Sequence, residues 1–278
     1  MTVGTLYLVA TPIGNLEDVT LRALRVLREA DRVFAEDTRR TRKLLDRHQI
    51  AVKPMSLHSH NEAARIETAL AVLAGGGEVA LVSDAGTPLV SDPGGRLVAA
   101  ALAAEHRVVP VPGASAVLAA LSVAGLPVEP FSFLGFLPRK AGPRRAVLTA
   151  YCGRPETLVI FESPRRLVGT LRELADVLGD RPACVARELT KLHEEAARGT
   201  LRELADRFEG SVKGEITIVV AGAPEPAPLG AADLDVAIRA RIAEGRPVSA
   251  IASELAAAAG LPRREVYARV LALRDAGS

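Results

Sequence analysis

A chain of 278 residues that is 49% hydrophobic can bury one large core or two moderate ones, and a prior of roughly 150 residues per domain favours two. Its 35 Lys and Arg stand against 33 Asp and Glu, a formal net charge of +2 that excludes a polybasic-tail protein but not a local basic face. Cys152 and Cys184 have no second Cys or His at metal-ligand spacing, so a disulfide scaffold and a metal site are both unexpected and a reducing cytoplasm fits best. The first 14 residues lack a basic n-region and read as a buried strand rather than a signal peptide, and no apolar run reaches membrane-spanning length. With no Trp and 3% aromatic residues, any RNA contact would be made without a broad stacking platform.

Taken in chain order, short apolar runs at 6–10, 32–35, 79–82 and 108–111 predict strands, and helical spacing at 21–27, 41–45, 66–73 and 97–103 predicts the helices between them. This alternation implies right-handed βαβ units and a largely parallel sheet over 1–126. Three prolines and a Phe-rich composition at 126–138 mark a domain junction. A second α/β domain follows over 127–223, with strands at 157–161, 183–185 and 215–221 and helices at 165–178 and 201–208. Residues 224–232 form a Pro-rich linker, and 233–278 hold three helical segments punctuated by Gly245 and Gly260.

Three loops at predicted strand ends carry the chemistry. Ala10-Thr11-Pro12-Ile13-Gly14-Asn15 follows the first strand, where open α/β sheets bind ligands. It is not a G-x-G-x-x-G fingerprint and Pro12 removes a backbone donor, which disfavours a pyrophosphate cradle; an ordinary βα turn is the alternative. In Ser83-Asp84-Ala85-Gly86-Thr87-Pro88 a buried strand delivers a carboxylate, Asp84, to its end, and Gly86 permits close backbone approach. Asp92-Pro93 reads as an N-cap and first-turn proline for the next helix. A carboxylate beside bare backbone suits the polar parts of S-adenosylmethionine. Pro112-Gly113-Ala114-Ser115-Ala116 again follows a strand with small residues, which either admit a flat ligand or merely turn and cap a helix.

Together with Ala35-Glu36-Asp37-Thr38-Arg39, His58-Ser59-His60-Asn61-Glu62, Phe161-Glu162-Ser163-Pro164-Arg165-Arg166, Arg187-Glu188-Leu189-Thr190-Lys191 and Lys213-Gly214-Glu215, these motifs occur in an order that resembles the tetrapyrrole-methylase superfamily. Within it the chain is similar to the family that methylates the ribose 2′-oxygen of a decoding-region cytidine in 16S rRNA. The resemblance covers nearly the whole chain. It implies two αβα domains with mixed or parallel sheets of the class III methyltransferase kind, plus a small C-terminal helical module. It further implies S-adenosylmethionine as cofactor, 16S rRNA in the small ribosomal subunit as partner, and a homodimer. Cofactor contacts then fall to Pro12, Gly14, Asp84, Ala85, Gly86, Thr87, Ala114, Ser115 and Ala116, with Phe161, Glu162, Val219 and Ala221 closing the pocket from the second domain. The tetrapyrrole-modifying members carry Gly-Asp-Pro where this chain has Ser83-Asp84-Ala85, a departure that favours a different substrate.

A ribose hydroxyl is a weak nucleophile while protonated, so a base or an orienting acceptor is expected. The candidates are Glu36 and Asp37 with Arg39, His60 with Asn61, and Glu188 with Lys191; for each, a salt bridge or solvated face is the alternative. Two basic clusters could meet phosphates: Arg40, Arg42 and Lys43, and Arg139, Lys140, Arg144 and Arg145 in a Gly/Pro-containing loop. The last three helices space Leu255, Ala259, Leu261 and Val266 like a helix-turn-helix, with a small helical subdomain or dimer prop as the alternative. Two other functions stay open at this point: a tetrapyrrole methylase, and a ligand-sensing helix-turn-helix regulator.

Overall fold

A computed structural model of the chain describes residues 3–58, 61–224 and 229–276, which divide into two compact units, Met1–Ala223 and Pro224–Ser278. The first unit contains two five-stranded sheets. The first sheet is built from β1 (Thr5–Val9), β2 (Arg32–Ala35), β3 (Met55–Ser56), β4 (Glu78–Val82) and β5 (Arg107–Val111), in the order β3-β2-β4-β1-β5 and parallel throughout. Strands such as Glu78-Val79-Ala80-Leu81-Val82 are nearly all apolar because both faces are covered. Leu24, Leu27, Leu44 and Leu45 from α1 (Leu21–Glu29) and α2 (Thr38–Arg47) fill one face. Leu73 and Leu97 from α3 (Glu62–Ala74) and α4 (Gly95–Ala103) fill the other, around Phe34.

Local chemistry fixes where these helices start. The Thr20 and Asp37 side chains accept the Ala23 and Arg39 amides at the heads of α1 and α2. Ser115 does the same for the Leu118 amide at the head of α5 (Ala116–Ala124). Helix α4 departs from expectation: its N-cap is Gly94, with φ +113 and no side-chain cap, so Asp92 is released from that role.

The second sheet is mixed. It orders β6 (Phe131–Phe136), β7 (Thr157–Glu162), β8 (Pro182–Arg187), β9 (Glu195–Thr200) and β10 (Ile216–Val220) as β6-β7-β10-β8-β9. Only β6 and β7 are parallel; β10 runs antiparallel to both β7 and β8, and β9 antiparallel to β8. Helices α6 (Ala141–Thr149), α7 (Leu167–Leu178) and α8 (Leu201–Arg207) cover one face through Leu148, Leu171, Leu174 and Leu204. The other face receives α5, whose Val117, Ala120 and Leu121 pack on Val159 and Val219. Thus the helix that follows the first sheet is the inner cover of the second.

The structure departs from or adds to the sequence reading at three places. The stretch 126–138, read as a junction, holds the edge strand β6; the Gly/Pro loop carrying Arg144 and Arg145 is helix α6; and β9, Glu-Ala-Ala-Arg-Gly-Thr, has no strand-like composition yet pairs along its whole length with β8. Edge strands are held by their neighbour's ladder more than by propensity.

The second unit consists of α9 (Ala231–Ala243), α10 (Val248–Ala259) and α11 (Arg263–Asp275) around Leu234, Ile238, Ile251, Leu255, Val266 and Val270. Gly260, at φ +62, ends α10 in a left-handed cap before the turn into α11. Arg269 spans α11 to α9 through Asp235 at 2.6 Å, so this arginine is committed within the bundle. Among the described residues no helix is long and apolar enough to cross a membrane.

Arg181, 4% exposed, closes the far end of the second sheet. Its guanidinium donates to the carbonyls of Leu178, Ala221 and Cys152. Replacing it by alanine leaves these acceptors unpaired, and each orphaned group costs about 1–3 kcal/mol. R181A is therefore expected to lower the urea unfolding free energy by about 3 kcal/mol or more, whereas an R202A control, removing an exposed pair with Asp176, changes it by less than about 1 kcal/mol.

Candidate active site

The loops that leave β1 and β4 are tied by a two-way backbone bridge: the Thr11 amide donates to the Gly86 carbonyl at 2.9 Å and the Gly86 amide to Thr11 at 3.0 Å. Gly86 has φ +80, a conformation that favours glycine. At Gly113 a side chain would crowd Ala10, so the β5 loop lies directly against the β1 loop. Three strand ends thereby present small residues and backbone to a single cleft.

The second sheet closes the cleft with the end of β7 and the beginning of β10, because the antiparallel course of β10 sets Ile216 opposite Glu162. Val219 and Ala221 consequently lie toward the opposite end of the strand. Val219 is buried against α5, and the Ala221 amide donates to Pro182. Of this strand it is Ile216 and Thr217 that line the cleft.

The cleft contains two adjoining cavities. The larger, about 490 Å³, is lined by Glu36, Asp84–Thr87, Asp92, Ser115–Val117, Phe136, Phe161 and Glu162. The smaller, about 460 Å³, is lined by Thr11–Gly14, Thr41, Lys43 and Lys191. Both lie within the usual range for small-molecule sites. Their common wall comprises Ile13, Arg40, Asp84, Ala85 and Glu215. The Ala114 carbonyl lies 3.5 Å from where a side chain on Gly86, in the larger cavity's lining, would project.

A chain of charges runs along the wall. Arg40 stands 3.6 Å from Asp84 and 3.7 Å from Glu215, and Lys191 bonds Glu215 at 3.0 Å and Glu188 at 2.8 Å. Asp84 also accepts the Asp37 amide at 2.8 Å, so it holds α2 in place as well as facing the cavity. Glu188 accepts the Glu215 amide besides Lys191, and these bonds hold its carboxyl below the ordinary range. Burial alone would lower the Lys191 ammonium, but its bonds to Glu188 and Glu215 raise it. Lys191 also packs on Gly14, and the Asn15 amide donates to Thr190 at 3.0 Å, so the loops after β1 and β8 touch here directly.

The remaining base candidates separate by environment. Asp37 is tied to the Arg39 side chain and amide, which hold its carboxyl at about 2 and make it a poor proton acceptor. Asn61 serves a turn, accepting the His58 amide and donating to Ser56; His60 lies outside the described residues. Glu36 faces the larger cavity, and burial together with Asp84 and Asp92 pushes its carboxyl up. Asp92, read from sequence as a cap, faces the same cavity, and burial raises it to about 6, with Asp84 adding to the effect and Ser83 opposing it. The signal in sequence was Gly94-Gly95, which lets the helix start two residues late. Buried Glu162 is spent on structure, accepting from Ser163 and Thr170 with Arg166 at 3.4 Å.

Of the basic residues, Arg40 and Lys43 line the cavities, while Arg42, Arg139, Lys140 and Arg145 are exposed. Arg144 is half-buried, held at 2.5 Å by Glu173, and donates to the carbonyls of Pro138 and Arg139. Among the described residues no group of three or more His, Cys, Asp or Glu is placed to hold a metal ion.

Carboxylates beside an apolar, aromatic-edged hollow suit a ligand with a cationic centre and a flat end. The model of the tetrapyrrole (corrin/porphyrin) methylases matches residues 5–205. The chain belongs to this family. It is 50% identical over 274 residues to the ribosomal RNA small subunit methyltransferase I of Micromonospora olivasterospora, covering 96% of this chain and 86% of that one. Relatives of the same name in Mesorhizobium japonicum and Synechocystis are 50% and 46% identical, so the chain falls in the family's ribosomal branch. The fold is similar to that of a cobalt precorrin-4 methyltransferase, with TM-score 0.61 and 20% identity over 78% of this chain and 94% of that one. It is also similar to a uroporphyrin-III C-methyltransferase of Thermus thermophilus solved with S-adenosyl homocysteine, with TM-score 0.54 and 24% identity over 78% and 97% of the two chains.

Arg40 opposes the upward shift at Glu36. Its exposed ion pairs are each worth no more than about 1 kcal/mol, so R40A should barely change the urea midpoint. The same substitution should raise the titration midpoint of the Glu36 side-chain carboxyl, read by carbon-13 NMR; a midpoint that stays put would separate Arg40 from this cluster.

Proposed function

We propose that this chain transfers a methyl group from S-adenosylmethionine to the ribose 2′-oxygen of a cytidine in the decoding region of 16S rRNA. The family and its close ribosomal relatives support the methyltransferase activity and the rRNA substrate. The observation that carries the site assignment is the convergence of three strand-end loops and two half-buried carboxylates on one cavity. Action on the assembled small subunit and assembly as a homodimer, both implied by the family, belong to the same proposal.

When bound, the cofactor supplies an electrophilic methyl on a sulfonium, and the cavity residues fit it. Asp84, Glu36 and Asp92 offer negative charge to a cationic centre, while Ala116, Val117 and Phe161 offer an apolar wall to a flat ring. The protein's own contribution is alignment and proton removal. Holding the hydroxyl in line supplies much of the rate. As the oxygen–methyl bond forms and the sulfur–methyl bond breaks, the hydroxyl proton must leave. Glu36 or Asp92, held nearer neutrality than ordinary carboxylates, accepts it better than Asp37 or Glu188 can. Lys43, exposed at the adjoining cavity, offers positive charge to RNA phosphate there.

The test is incubation with labelled S-adenosylmethionine and either naked 16S rRNA or 30S particles. Label in a nucleotide whose 3′ linkage resists alkali is the expected product, and no transfer to either substrate would sink the proposal.

Two further outcomes follow for Asp92. With Asp92 as the acceptor its ionised form takes the proton, so kcat/KM should rise with pH through about 6 and D92N should flatten or shift that limb; a limb unchanged in D92N leaves the role to Glu36. For stability the sign is opposite. The folded state keeps its proton up to about 6 whereas the unfolded chain loses it near 3.8, so stability falls as pH rises between these values. D92N should therefore match the parent in urea at pH 4 but exceed it by about 1 kcal/mol at pH 7.5, a figure discounted for partial solvent screening.

A further inference from the structure

Phe136 is 58% exposed, an unusual position for one of only six phenylalanines in a chain without tryptophan. It is the last residue of β6 and lines the larger cavity. Strand alternation would place it on the same side as Leu134, which packs into the core beneath α6 and α7. A bulge between Phe133 and Gly135 prevents this. Phe133 pairs with Val159, Gly135 with Ile160 and Phe136 with Phe161, so the inserted residue turns Phe136 to the face that carries Phe161. Gly135 accommodates the bulge at φ +60 and approaches Ser91 of the cavity loop. Bulges that re-aim a side chain are frequent beside active sites.

The re-aimed ring is also held rigidly. Phe161 lies 5.6 Å from it and is itself braced edge-on by Phe133 at 4.9 Å. The next residue, Leu137, is 2% exposed, and its carbonyl accepts both terminal nitrogens of Arg166. The carbonyls of Pro138 and Arg139 accept from Arg144, which Glu173 fixes in turn. Beyond this clamp the Arg139 and Lys140 side chains stand in solvent.

We infer that Phe136 is a stacking platform for one unstacked nucleobase of the RNA substrate, with Arg139 and Lys140 taking the flanking phosphates. The inference rests on the rRNA reading of the site and names the residue that seats the substrate. S-adenosylmethionine also has a flat base, but it carries no phosphate, so a basic pair three and four residues from the ring serves a polynucleotide. Single-stranded RNA is read in this way, by bases splayed onto aromatic side chains beside a basic groove.

The experiment compares the full chain with F136L, F136Y and the double variant R139A/K140A. Binding of a fluorescein-labelled, cytidine-containing single-stranded oligoribonucleotide is followed by anisotropy, and binding of S-adenosylhomocysteine by calorimetry. F136L should weaken the RNA about ten-fold or more and F136Y should restore it, in line with the usual contribution of base–aromatic stacking. S-adenosylhomocysteine affinity should stay within about two-fold for R139A/K140A and fall much less than RNA affinity in F136L, because the basic pair stands in solvent and Phe136 borders the cofactor cavity from an exposed position. The double variant should flatten the dependence of RNA affinity on salt. RNA affinity unchanged in F136L overturns the inference, and so does a comparable loss of S-adenosylhomocysteine affinity, which would give the ring to the cofactor. Because the readout is binding, it stands apart from methyl transfer: RNA binding that depends on Phe136 without any transfer would remove the proposed reaction and leave this contact.

Discussion

Arg40 lies within ion-pair reach of Asp84, on the rim of the first sheet, and of Glu215, at the start of the last strand of the second. Glu215 in turn meets Lys191, and Lys191 meets Glu188. A site of this kind needs several carboxylates in a small volume, and like charges at short range cannot all stay ionised without countercharge. Arg40 and Lys191 provide that countercharge from opposite sides of the cleft. Their pairs are partly exposed and contribute little to the stability of the fold. The carboxylates fall into two sets: Asp37, held low by Arg39, and Glu188, held low by Lys191, against Glu36 and Asp92, which face the cavity and which burial pushes up.

The geometry behind this division follows from strand direction. In the first sheet every strand points the same way, so β1, β4 and β5 deliver their following loops to one edge. The second sheet achieves the same convergence by a different route. Since β10 runs against β7, the end of one strand and the beginning of the other share an edge. The alternation of the first half made its parallel sheet readable from sequence. Direction in the second half was not readable, because an apolar run such as Ile216–Val220 fits a buried strand of either sense. With that ambiguity the sequence pointed to Val219 and Ala221, whereas the cleft is lined from this strand by Ile216 and Thr217.

The site was legible to a similar extent and for similar reasons. Asp84 stood out because a carboxylate at the end of an all-apolar strand has no structural task in the local pattern, and Ser115 because small residues follow a strand there. Asp92 was hidden by a good local explanation: Asp-Pro is a helix start, and only the left-handed Gly94 moves that start away from it. Phe136 was hidden by a bulge, which sequence periodicity cannot register, inside a Pro-rich stretch that reads as a linker. The pairing of Arg144 with Glu173, 29 residues away, was equally out of reach of the local pattern.

Among the described residues, four of the six non-glycine residues with positive φ lie in two loops, those after β4 and after β8. Leu89 and Ser91 have φ of +73 and +68 in the loop between β4 and α4, and Glu188 and Thr190 have φ of +50 and +66 in the loop after β8. Such residues cost of order 1–3 kcal/mol each and persist only where their surroundings hold them. The holding contacts are present at both loops. Ser91 approaches the bulged Gly135, Thr190 accepts the Asn15 amide, and Glu188 is bonded to Lys191 and to the Glu215 amide. Each is a contact between the first sheet's loops and the second sheet, or between neighbouring ends of the second. The relaxed cores on either side therefore supply the stability that these loops spend, and the cleft keeps its shape because both sheets constrain it at once.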